Sequence, residues 1–99
     1  MYFITCFTKC EIDEKTKIPD IGSTRTCGYF KDKDMSVKAV TENWCDIQER
    51  VYSYAVIEHI SEGLYEVAEE SLFFEWNEEK KEFEAIKPFI DCWGNYAFG

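Results

Sequence analysis

The sequence predicts an α+β fold, an antiparallel β-sheet of about five strands with one α-helix (about 34–49) packed on one face, in the order β-β-α-β-β-β. Three observations predict it. Short runs rich in β-branched and aromatic residues recur along the chain, divided by charged or Gly- and Pro-bearing breaks. One helical apolar stripe lies between the second and third of these runs. Short polar breaks favour antiparallel neighbours, and a lone helix then covers one face of the sheet. The 99 residues make a single compact domain, 1–99. Area scaling gives roughly 5,900 Å² of surface folded against about 17,000 Å² unfolded, so an ordinary core suffices without metal or disulfide.

Residues 2–9 alternate, with Tyr2, Ile4, Cys6 and Thr8 on one face and Phe3, Thr5 and Phe7 on the other. Both faces are apolar, which suits an interior strand. Residues 10–22 are charged and contain Pro19 and Gly22, so they read as a long hairpin connection. Residues 23–30 form the second strand, where Gly28 signals a bulge or a close backbone approach. Asp32 or Asp34 is placed to cap the helix. Val37, Val40, Trp44 and Ile47 make its apolar stripe, flanked by Met35 and Val51, while Lys38, Glu42, Asp46 and Glu49 take the wet side.

Residues 51–60 are the third strand, and Ser61-Glu62-Gly63 a turn. Residues 64–67 are a candidate edge piece. Residues 71–76 and 81–86 pair as a hairpin around the polar loop 77–80, and Pro88 ends it. The tail 89–99 is too apolar for solvent and docks on its own sheet or on another subunit.

The chain carries 20 acidic and 11 basic residues, for a net charge of −9. Nucleic-acid binding requires basic side chains to displace counterions, so direct binding of nucleic acid is not expected. A protein partner with a basic surface fits the charge, and solubility alone also accounts for it. The opening residues lack a signal-peptide pattern and no run approaches a membrane span. Five cysteines, an odd number, fit reduced thiols. The expectation is a cytoplasmic protein without membrane contact.

Tyr54-Ala-Val-Ile-Glu58, Glu62-Gly-Leu-Tyr65, Phe73-Phe-Glu-Trp76-Asn77 and Asn95-Tyr-Ala-Phe-Gly99, with Val37-Lys-Ala-Val40 and Asn43-Trp44, resemble a family of small uncharacterised α+β proteins of Firmicutes and their phages and mobile elements. The resemblance spans most of the chain and implies a compact α+β protein. Its setting implies an accessory protein, for example an inhibitor of host defence. It transfers no functional residue.

Five constellations carry candidate chemistry. Cys6, Cys10, Cys27, Cys45 and Cys92 lack the repeated close pairs of a zinc site and read as small buried hydrophobes, so no metal and no cofactor is expected. Cys27 or Cys6, on a strand beside His59, would make a thiol–imidazole pair, with Cys27 the first candidate, but nothing in the sequence brings them together, and a strand histidine is the plainer reading. Glutamates 66, 69, 70, 75, 78, 79, 82 and 84 face only Lys80 and Lys81. Such a face is commonly just solvated and discourages edge pairing. As a functional surface, Glu75, Glu78, Glu79, Glu82 and Glu84 would dock a basic partner. Gly22-Ser23-Thr24-Arg25-Thr26 offers backbone N–H groups, hydroxyls and a guanidinium to an anion, without the spacing of a P-loop. With Tyr29, Tyr52, Tyr54 and Trp76, residues Ser23, Thr24, Arg25 and Thr26 would sequester a small phosphorylated ligand such as a nucleotide. Finally, Tyr52 and Tyr54 are assigned to one strand face. The rings suffice for both sheet faces or for an exposed cluster serving a ligand or a homo-oligomer. These features favour a non-enzymatic binding protein, with no catalytic residues.

Overall fold

The structure, a computed structural model, describes residues 1–12, 14–16, 19–64, 66–87 and 96–97. Its strands are β1 (Tyr2–Phe7), β2 (Glu11–Ile12), β3 (Pro19–Asp20), β4 (Thr24–Phe30), β5 (Tyr54–His59), β6 (Glu70–Asn77) and β7 (Glu82–Ile86). One α-helix, α1 (Lys33–Thr41), and a 3-10 turn at Trp44–Asp46 lie between β4 and β5. Five strands form one sheet in the order β4-β1-β5-β6-β7, and every pairing in it is antiparallel. The expected α+β architecture is present. The short β2–β3 ladder sits inside the long hairpin connection.

β1 lies between β4 and β5, as apolar side chains on both of its faces predict. Its register with β4 slips between Ile4 and Thr5: Ile4 faces Gly28 and Thr5 faces Thr26, leaving Cys27 as the extra residue. This is the bulge that Gly28 signals, and an extra residue bends and twists the strand there. The alternative, a close backbone approach, is absent, because a Cβ on Gly28 would meet nothing within 4 Å.

The helix starts as expected and ends early. Asp32 is its cap, accepting the Asp34 amide at 2.9 Å. The expected span of 34–49 breaks after Thr41 because Asn43, Cys45 and Asp46 take left-handed backbone, with φ of 51°, 55° and 53°. A left-handed residue closes a helix end, and asparagine tolerates it. The stripe survives the break. Val37, Trp44 and Ile47 still pack on the core below α1, whose buried members include Ile4, Cys6, Val40, Ala55, Ile57, Phe74 and Phe83. Met35 and Val51 are exposed.

The opposite sheet face has its own core of Phe7, Val56 and Phe73, joined by Tyr54, Ile86, Cys10, Ile21 and Tyr96. Phe7 stacks on Tyr54 and Tyr96 with ring centroids 5.3 Å apart in both pairs. At Tyr96 and Ala97, then, the tail packs on its own sheet. Pro88 and the rest of the tail, including Cys92, lie outside the described residues, as does Tyr65. Leu64, Glu66 and Val67 are not in a strand, so the edge piece expected there does not form on them. Among the described residues, no helix is long and apolar enough to cross a membrane.

Candidate functional site

The β6–β7 hairpin gathers most of the expected acidic residues. Asn77 ends β6, and its Oδ1 accepts the amides of Glu79 at 3.0 Å and Lys80 at 3.1 Å. Lys81 closes the loop with a left-handed φ of 56°. The loop is therefore 78–81, one residue later than expected. Folding the hairpin this way opens a cleft of about 330 Å³ lined by Glu75, Trp76, Asn77, Glu78, Glu79, Glu84 and Ile86. Glu82 pairs with Asn77 in the register and stays out of the lining.

Charge in the cleft is unevenly compensated. Lys80 Nζ is 2.9 Å from Glu84 Oε1, and Lys81 forms an ion pair with Glu78. Trp76 Nε1 donates to Glu78 Oε2 at 2.7 Å. The Lys81 ammonium, then the indole N–H, hold the Glu78 carboxyl below its ordinary range. The Lys80 ammonium, then Asn77, do the same for Glu84. Among the described residues, no Lys or Arg forms an ion pair with Glu75 or Glu79. Glu75 and Glu84 face each other across the strands, a like-charge placement that destabilises a sheet. Burial, and then Glu75 beside it, push the Tyr54 hydroxyl up. Trp76 packs edge-on against Phe83, centroids 5.1 Å apart.

The residues expected to hold a phosphorylated ligand do not converge. Ser23, Thr24, Arg25 and Thr26 are exposed at the β4 edge, and the Arg25 guanidinium lies 3.5 Å from Glu49. Tyr29 is 60% exposed and leans on Phe3. Tyr52 and Tyr54 separate: Tyr52 precedes β5 and joins the core under the helix, whereas Tyr54 packs on the opposite face. The period-two assignment fails because the strand begins only at Tyr54. Trp76 belongs to the acidic cleft. The exposed aromatic cluster is not formed either, since Tyr29 alone among the described rings is exposed.

Thiol chemistry divides similarly. Cys6 pairs with Ala55 while His59 pairs with Tyr2, four residues along β1, which is about 13 Å at strand rise. His59 instead stacks on Tyr2 at 4.3 Å, with Nδ1 3.4 Å from Glu69. Cys27 reaches Cys6, sulfur to sulfur at 3.6 Å, and not the imidazole. Cys6 and Cys10 share no face: β1 ends at Phe7, and Cys10 turns to the second core. Cys45 is exposed, unlike the buried role expected of it. Among the described residues, no group of three His, Cys, Asp or Glu side chains is placed to hold a metal ion.

Sequence reasoning missed Glu58. It is fully buried in β5, and its carboxylate accepts the Tyr96 amide at 2.9 Å and the Ala97 amide at 2.8 Å. Burial pushes its carboxyl up, and the two amides partly offset this. The available signal was one carboxylate closing the apolar run Ala55-Val56-Ile57. Asn77 and Ile86 were also missed, although Asn77 shapes the cleft loop and Ile86 supplies its apolar wall. Comparison with known proteins finds no matching family model, no matching curated protein and no matching solved structure.

Proposed function

We propose that the chain is a non-enzymatic binding protein whose β6–β7 cleft takes an arginine- or lysine-bearing segment of a protein partner. The observation that carries this is the opposition of Glu75 and Glu84 within a cleft that also holds Glu78, Glu79, Trp76 and Ile86. A cation at Glu75, beside the Glu84 carboxylate that Lys80 only partly neutralises, relieves the remaining repulsion. A guanidinium adds planar hydrogen bonding to two oxygens, while Ile86 receives the alkyl stem. In the phage or mobile-element setting that the resemblance implies, the partner is a host defence protein with a basic surface.

The test is titration of the intact protein with a hexa-arginine peptide at two salt concentrations, followed by isothermal calorimetry. Glu75→Gln and Glu84→Gln should each weaken binding roughly tenfold, the effect of about 1.4 kcal/mol for a charge-assisted contact. Glu82→Gln, on the same hairpin outside the lining, should change it far less. Equal binding by all three variants and wild type would sink the proposal.

A further inference from the structure

The geometry points to Cys6 and Cys27 as a reversible dithiol–disulfide site, oxidised by low-molecular-weight disulfides, with Cys27 attacking and Cys6 resolving. The two sulfurs stand 3.6 Å apart on adjacent antiparallel strands. A disulfide needs about 2.05 Å, so they must close by roughly 1.5 Å. The required movement falls where the ladder is already interrupted, because Cys27 is the extra residue of the β4 bulge.

Access sets the roles. Cys6 is fully buried in the core under the helix. Cys27 is partly exposed on an edge strand. A small disulfide therefore meets Cys27 first. Once Cys27 ionises, the Cys6 thiol hydrogen-bonds to the thiolate, and this bond, with Arg25 assisting and burial and Glu49 opposing, draws the Cys27 thiol down. The same contact, with burial, holds Cys6 protonated. One thiol is thus poised to attack while the other waits.

The reaction balances. The Cys27 thiolate attacks one sulfur of RSSR, forming Cys27–S–S–R and expelling RS⁻, which takes up the proton Cys27 lost. Cys6 then attacks Cys27 Sγ, forming the Cys6–Cys27 bond. The second RS⁻ leaves and takes the Cys6 proton. The protein dithiol loses two electrons, and RSSR is reduced to two RSH. This site is independent of the acidic cleft.

The experiment exposes the reduced full chain to oxidised glutathione, with mass spectrometry and peptide mapping over time. Wild type should pass through a transient adduct on Cys27 and end with its Cys6 and Cys27 peptides linked and together two hydrogens lighter, whatever adduct the exposed Cys45 carries. Cys6→Ser should hold the glutathione adduct on Cys27 without resolving it. Cys27→Ser should give neither linkage nor adduct at Cys6. Iodoacetamide should label Cys27 in native wild type roughly ten times faster than Cys6, a measurement that needs no variant. A persistent wild-type adduct on Cys27, a linkage of Cys27 to a cysteine other than Cys6, or faster labelling of Cys6 than of Cys27 would each overturn the assignment.

Discussion

Replacing Glu58 by Gln tests how the tail is held to the sheet. Glu58 is fully buried, and its two oxygens accept amides 38 and 39 residues away, at 2.9 and 2.8 Å. Gln retains one oxygen, so one charge-assisted bond becomes a neutral one, a loss of about 1 kcal/mol. The other oxygen becomes an amide N–H₂ facing an N–H, and a buried donor left without its acceptor costs about 1–3 kcal/mol. Removing a buried charge opposes both effects. The net is a destabilisation of about 1–2 kcal/mol at pH 7, which at 4–8 °C per kcal/mol lowers the melting temperature by about 5–15 °C. The pH dependence has a definite sign. Burial raises the Glu58 carboxyl above its ordinary value of 4.5, so the folded state binds the proton more tightly than the unfolded chain. Its contribution to stability is fully present below pH 4.5 and is lost as pH rises through the folded value. Wild type should gain stability relative to Glu58→Gln as pH falls from 7 toward 5. The ion-paired Glu78 and Glu84 act in the opposite sense and at lower pH, since their carboxyls are lowered. They are exposed pairs of small weight. Thermal unfolding followed by circular dichroism at pH 5, 6 and 7 decides the matter. A variant within about 1 °C of wild type at pH 7, or two profiles running parallel, would show that Glu58 does not hold the tail.

Two glycines should respond in opposite ways. Gly22 has φ +69°, and an added Cβ would stand 2.1 Å from Thr8 Oγ1, which accepts the Ser23 amide at 3.0 Å. Gly22→Ala should therefore cost about 1–3 kcal/mol in urea unfolding. Gly28→Ala meets open space and should be neutral or stabilising by up to about 1 kcal/mol in the same assay. Asp32→Ala removes the cap bond to the Asp34 amide and should cost about 1 kcal/mol in thermal unfolding, with Asp32→Asn recovering most of it.

Local pattern exposes the parts of this fold that depend on neighbours in the chain. The alternation of β1, the 70–86 hairpin and the Asp32 cap are all one-dimensional signals, and each is present in the structure. The failures share a different cause. The helix stripe continues through Trp44 and Ile47 although the backbone does not, because packing requires only that the side chains reach the core. Left-handed backbone at Cys45 and Asp46 leaves no mark in a hydrophobic pattern. Tyr52 lies before the start of β5, so the strand alternation does not reach it. The acidic cleft was legible as composition, whereas its shape depends on the loop that Asn77 and Lys81 set. The Glu58–tail bonds and the Cys6–Cys27 contact join residues at least 21 apart, beyond any periodic pattern.

Where the rings go determines what kind of binding remains. The chain has rings enough for an exposed cluster, yet Phe7, Phe73, Phe74 and Phe83 are interior and Tyr54 and Tyr96 pack around Phe7 on the second face. One layer is sealed by the helix, and Tyr96 packs against the other. Trp76 packs its ring on Phe83 in the core under the helix and meets the charged loop through its N–H, which is already committed to Glu78. Recognition there therefore rests on carboxylates, with one isoleucine as apolar support. Such a surface acts first on encounter rate and choice of partner, both of which weaken as salt screens the charges beyond about 10 Å at 0.1 M. If the cleft works as proposed, raising salt should slow association with a cationic segment more than it speeds release. An aromatic-driven site would show the reverse.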